Sequence, residues 1–93
     1  MLTIRYETNF KKDYKRLVKR GYNIVLLSEI IELLAFNQPL DRRYKDHPLI
    51  GDYKDCRDCH ITPDWVLIYR IDKLKGELVL IRTGTHNDVF SDK

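Results

Sequence analysis

Three histidines, His47, His60 and His86, fall in the second half of a 93-residue chain, and its one tryptophan, Trp65, lies among them with Asp64 and Arg82. These residue types suit the cleavage of RNA without a metal. That reaction needs a group to take the 2′-OH proton, a cation to balance charge on the phosphorane, and an acid to protonate the departing 5′-oxygen. Imidazole titrates nearest neutral pH and fits either proton role, each transfer contributing about 10²–10⁴ in rate. The guanidinium of Arg82 offers a planar, permanently charged fork to phosphate oxygens. Trp65 or Phe90 offers a face on which a base can stack. Taken singly, each residue has a plainer reading: a surface histidine, a core tryptophan, an ion-paired arginine. Only convergence makes a site.

Convergence depends on the strands. Residues 53–61, 65–71 and 77–82 read as three β-prone runs, with turns at Thr62-Pro63-Asp64 and at Asp72-Lys73-Leu74-Lys75-Gly76. If tight hairpins join them, His60 ends the first strand beside the turn holding Asp64 and Trp65. The end of the third strand then lies beside the start of the second. Arg82 and His86 are thereby brought toward His60, Asp64 and Trp65 at one edge of the sheet.

Ahead of these strands, Leu2, Ile4 and Tyr6 alternate with Thr3 and Arg5 as a short strand. Phe10, Tyr14, Leu17 and Val18 form one apolar stripe of a helix that Thr8 or Asn9 can cap and Gly21 can end. A second helix starts at Asn23, carries Leu27, Ile30, Ile31 and Leu34 on its apolar face, and stops at Asn37-Gln38-Pro39. Residues 40–52 read as an exposed loop. The order predicts one α+β domain over residues 1–93, an N-terminal strand and helix hairpin packed on a mostly antiparallel sheet.

Composition is that of a globular protein, with 43% hydrophobic and 33% charged residues and a net charge of +3. The charge is uneven. Residues 1–20 hold seven basic and two acidic groups, whereas residues 21–41 hold no Lys or Arg and three acids. Lys11, Lys12, Lys15, Arg16, Lys19 and Arg20 therefore give the first helix a cationic face suited to a polyanion. No run is long enough to span a membrane, and the N-terminus has no basic-then-apolar signal pattern, so cytoplasm is the expected compartment.

Cys56-Arg57-Asp58-Cys59-His60 spells the pattern of c-type haem attachment. Strand alternation would put the two cysteines on opposite faces, and no second close pair of ligands accompanies them. Neither a metal nor another cofactor is expected.

Tyr44-Lys45-Asp46-His47-Pro48-Leu49, Arg57, His60, Pro63-Asp64-Trp65, Ile68-Tyr69 and Arg82-Thr83-Gly84-Thr85-His86 with Phe90 closely resemble the YafQ branch of the RelE/ParE toxin superfamily. The likeness spans nearly the whole chain. It implies a RelE-like β-α-α-β-β-β fold and the toxin of a type II toxin–antitoxin system. Such a toxin is an endoribonuclease that cuts mRNA in the ribosomal A site and is silenced by a DinJ-like antitoxin. Carried over by position, the catalytic set is His47, His60, Asp64, Arg82 and His86. His86 would be the general acid, Arg82 the phosphate clamp, and His60 or His47 the base, with Asp64 orienting an imidazole or sharing that role. Trp65, Phe90, Lys45 and Arg57 would bind substrate, and the basic helix would meet ribosomal RNA or lie partly under the antitoxin. The tail Ser91-Asp92-Lys93 runs past the usual closing Phe, and an acid there would weaken docking on RNA.

Two rivals remain on the same residues. A non-enzymatic, ParE-like inhibitor of DNA gyrase would leave the histidines incidental. A basic module that only binds nucleic acid would show steep salt dependence and no cleavage.

Overall fold

Apolar runs without a helical period make the two longest strands, β4 (Trp65–Asp72) and β5 (Glu77–Thr85), and the chain before them supplies β1 (Thr3–Tyr6), α1 (Thr8–Lys19), α2 (Ile24–Ala35), β2 (His47–Pro48) and β3 (Arg57–Thr62). A five-residue helix, α3 (His86–Phe90), closes the fold. This computed structural model describes residues 1–91. Its five strands lie in the order β1-β5-β4-β3-β2, antiparallel except where β1 runs parallel to β5. The expected α+β architecture is the one found.

The helices form where the sequence places them, with different caps. Glu7, rather than Thr8 or Asn9, precedes α1 and makes no side-chain cap. Gly21 does end it, at φ +79°, and the Tyr22 N–H closes the turn on the Leu17 carbonyl at 3.1 Å. Asn23 caps α2 by accepting from the Val25 N–H at 3.2 Å. The apolar seam of α1 is not the stripe expected. Phe10 and Leu17 are buried, but Asp13 shares their face at 2% exposure, while Tyr14 and Val18 are 38% and 51% exposed.

Both sheet faces are covered. Under α1 and α2 lie Cys59, Trp65, Leu67, Tyr69, Leu78 and Leu80. On the other face Val66 and Ile68 pack with Cys56 and Val89, flanked by Leu49, Tyr53, Ile81 and Phe90. The two cysteines are free thiols on opposite faces, as alternation requires. The expected strand over 53–61 begins later, at Arg57, because residues 51–53 coil into a single 3-10 turn and Asp55 takes a left-handed φ of +71°. The loop before it also holds structure: a 3-10 turn at Arg42–Tyr44 and the two-residue strand β2.

Candidate active site

Strand pairing puts the three imidazoles in a row. His47 on β2 lies opposite Asp58, His60 on β3 lies opposite Val66, and Trp65 at the start of β4 lies opposite Thr85, the residue before His86. The ring centres of His47 and His60 are 6.4 Å apart, as are those of His60 and His86. Phe90 extends the row, its ring centre 4.7 Å from that of His86.

The rings of His47 and His60 are held alike, each by Nδ1 on a main-chain carbonyl. The Nδ1 of His47 is 2.6 Å from the Lys45 carbonyl, and the Nδ1 of His60 is 3.3 Å from the Pro63 carbonyl. A carbonyl oxygen only accepts, so both Nδ1 atoms carry the hydrogen and the neutral rings present a bare Nε2. His86 opens α3, where Thr85 and Asp88 form a capping box and the His86 N–H donates to the Asp64 carbonyl at 3.2 Å. Gly84 permits the fold-back before it: its φ is +152°, and a Cβ there would sit 3.3 Å from Cβ of Asp88. Arg20 anchors the same helix from α1, 3.0 Å from Asp88. Burial would raise the Asp88 carboxyl, but the hydrogen bonds from Thr85 and Arg20 outweigh it and hold the group below its ordinary range.

The carboxyl group beneath the imidazoles is one the sequence reading missed. Asp58 is 2% exposed, its Oδ2 lies 3.7 Å from Nε2 of His47, and its Oδ1 has no hydrogen-bond partner among the described residues. Burial pushes this carboxyl above its ordinary value, and the nearby His60, His47 and His86 pull it back. Alternation was the available signal, since Asp58 precedes His60 by two residues and shares its face. Asp64, expected near the imidazoles by its side chain, is exposed on the turn and gives the cluster its main-chain carbonyl.

Arg82 is gripped rather than free. Its Nε donates to Oδ2 of Asp13 at 2.6 Å and its Nη2 to Oδ1 at 3.1 Å, while Arg16 pairs with the same carboxylate. The bonds from Asp13 raise the Arg82 guanidinium above its usual value, against burial. The reason lies in the sheet. β1 pairs with β5 only as far as Leu80, so the edge N–H of Thr83 is left open, and it donates to Asp13 at 3.1 Å.

The other expected site residues divide. Phe90 faces Tyr53 edge-on at 6.0 Å beside the histidines. Trp65 is a correction: at 2% exposure, with its Nε1 donating to Oγ1 of Thr83 at 2.9 Å and its ring against Tyr22, it supports the floor and offers no face to a base. Arg57 turns to the opposite sheet face from His60, 3.2 Å from Asp46, which also accepts from the Tyr69 hydroxyl at 2.6 Å. Lys45 stays exposed at a left-handed φ of +50° and lends its carbonyl to His47. On α1, Arg16 and Arg20 are paired, whereas Lys11, Lys12, Lys15 and Lys19 are exposed and form no ion pair among the described residues. Lys11 and Lys15 rim an apolar groove with Tyr6, Tyr14 and Phe36. Of the tail, Asp92 and Lys93 lie outside the described residues.

Residues 2–91 match the family described as bacterial toxin of type II toxin–antitoxin system, YafQ. The mRNA interferase toxin YafQ of Escherichia coli K12 is 45% identical over 89 residues, covering 94% of each protein. A metal-bound toxin from Helicobacter pylori is 48% identical and superposes with a TM-score of 0.91 over 97% of this chain and 100% of that one. A chain of the E. coli DinJ–YafQ complex is 40% identical, with a TM-score of 0.88 over 98% of this chain and 100% of its own.

Proposed function

This chain belongs to the YafQ family of bacterial type II toxin–antitoxin toxins and is an mRNA interferase; from that membership we propose that it cuts mRNA in the ribosomal A site by acid–base catalysis that needs no metal. The observation that carries the chemistry is the row of three imidazoles, 6.4 Å apart in succession, over the buried carboxylate of Asp58.

His60 is the base. Its Nδ1–H is committed to the Pro63 carbonyl, so Nε2 is free to take the 2′-OH proton. The 2′-oxygen then bonds to phosphorus and the bond to the 5′-oxygen breaks. His86, at the exposed end of the row, gives that oxygen its proton. The products are a 2′,3′-cyclic phosphate and a 5′-hydroxyl. Arg82, fixed by Asp13, supplies positive charge for the phosphorane, and His47 flanks His60 in the row. Asp58 takes the orienting part, with Asp64 on the rim.

Its partner is a DinJ-like antitoxin. The apolar groove beside Lys11 and Lys15 suits partial cover of α1 in the silenced state. The exposed lysines of α1 would meet ribosomal RNA, and Phe90 and Lys45 the message. A gyrase inhibitor would have no use for proton-transfer groups so arranged. The test is cleavage of mRNA on programmed ribosomes by the wild type and by His86→Ala. Loss of cleavage in a folded variant supports the reading, and wild-type rates with wild-type ends would refute the assignment.

A further inference from the structure

Two clefts adjoin the row of imidazoles and its neighbouring ring, one against His60 and one against Phe90. One cleft, of about 500 Å³, is bounded by His60, Arg43, Tyr44 and Lys45. The other, of about 400 Å³, is bounded by Arg82, Tyr53 and Phe90. Both combine an aromatic ring with a guanidinium. The Arg43 guanidinium sits 4.8 Å from the Tyr44 ring centre and donates to the Tyr44 hydroxyl at 2.8 Å. Asp41 fixes this turn by accepting from the Arg43 N–H at 2.9 Å, and Lys45 in its left-handed conformation ties it to His47. An aromatic ring beside a cation is the common receptor for a base next to its phosphate.

We infer that these clefts are two base subsites on one RNA strand, the base 5′ of the cut entering the Tyr44 cleft and the base 3′ of the cut entering the Tyr53–Phe90 cleft. The polarity follows from the chemistry and rests on the proposed roles of His60 and His86. The 2′-OH belongs to the nucleotide 5′ of the scissile phosphate, so that sugar must lie at His60, which lines the Tyr44 cleft. The departing 5′-oxygen belongs to the next nucleotide and must lie at His86, whose ring adjoins Phe90. Arg43, Tyr44 and Tyr53 thereby become determinants of which nucleotides flank the cut.

The test uses ribosomes programmed with mRNAs that carry one abasic ribonucleotide, 2′-OH intact, either 5′ or 3′ of the cut. The wild type is expected to slow about tenfold with either, as befits loss of one stacked base. A double variant, Arg43→Ala with Tyr44→Leu, should cut intact mRNA about tenfold more slowly, lose nothing further with the 5′ abasic message, and keep its full loss with the 3′ one. Tyr53→Leu should show the reverse. Because Tyr44 packs against the core, Arg43→Ala alone serves as a second variant; its side chain is exposed, and it should show a partial form of the same pattern. A crossed pattern, or full abasic losses in every variant, overturns the subsites. If the wild type leaves no 2′,3′-cyclic end on unmodified mRNA, the acid–base reading itself fails, and the subsites with it.

Discussion

The Nε2 of His47 lies 3.7 Å from Oδ2 of Asp58 across the β2–β3 pair, and that carboxylate is 2% exposed with its second oxygen unpartnered among the described residues. A buried charge so poorly compensated destabilises the fold. Its position under the imidazoles is where such a charge is useful. Burial raises the Asp58 carboxyl in the folded protein, so the folded state favours the protonated form. The stability linked to that proton is present below the ordinary carboxylate range and is lost as pH rises through the raised value. Asp58→Asn should therefore melt higher than the wild type at pH 7, by roughly 4–8 °C for each kcal/mol recovered, and the gap should close in acid. The same variant should cleave about 10–100-fold more slowly, on the scale of a lost positioning contact. Melting curves across pH, with single-turnover cleavage, check both signs.

His60→Ala and His86→Ala should each lower the cleavage rate by about 10²–10⁴. Both side chains stand at the rim of the sheet, so neither change should move the melting temperature by more than a few degrees. Because the two act as a unit, the double variant should be little slower than the worse single one. Additive losses would mean that they serve separate steps.

Asp13 is the shared acceptor of Arg82, Arg16 and the Thr83 N–H, buried in the seam of α1. Asp13→Ala leaves two cations facing each other and an edge N–H unpaired, and should cost about 3–5 kcal/mol of stability. Arg82→Ala leaves Asp13 with Arg16 and Thr83 and should cost less, while slowing cleavage about 10²–10³-fold. Denaturant titration separates the two variants. Equal stabilities would contradict the account of the β5 edge.

Lys12 and Lys19 sit on α1 with no ion pair among the described residues. Reversing both to Glu should raise KM for programmed ribosomes about tenfold, leave kcat unchanged and flatten the salt dependence. A fall in kcat with constant KM would place this face elsewhere in the cycle.

The strand ends were legible because hairpin register is arithmetic: once three β-runs and two turns are recognised, His60 and His86 must approach. Asp58 was legible in principle, two residues before His60 on the same face, but the turn residue Asp64 drew the orienting role instead. Asp13 stands inside an apolar stripe, and nothing local says that a lone acid there will meet the open edge of a strand far along the chain. The α3 helix has only a capping box, Thr85 to Asp88, to announce it. At two residues, β2 is too short for any periodicity. Trp65 and Arg57 show the limit of reading by residue type. Both carry groups that could serve RNA, and packing commits one to the core and the other to Asp46.

The most direct test of the imidazole row is mRNA with a single 2′-deoxy nucleotide immediately 5′ of the cut, presented on programmed ribosomes. If the 2′-oxygen is the nucleophile, that message stays intact while the all-ribose one yields a 2′,3′-cyclic phosphate and a 5′-hydroxyl. Cleavage of the deoxy message, or a 3′-hydroxyl with a 5′-phosphate, would mean that water attacks instead and would contradict the account.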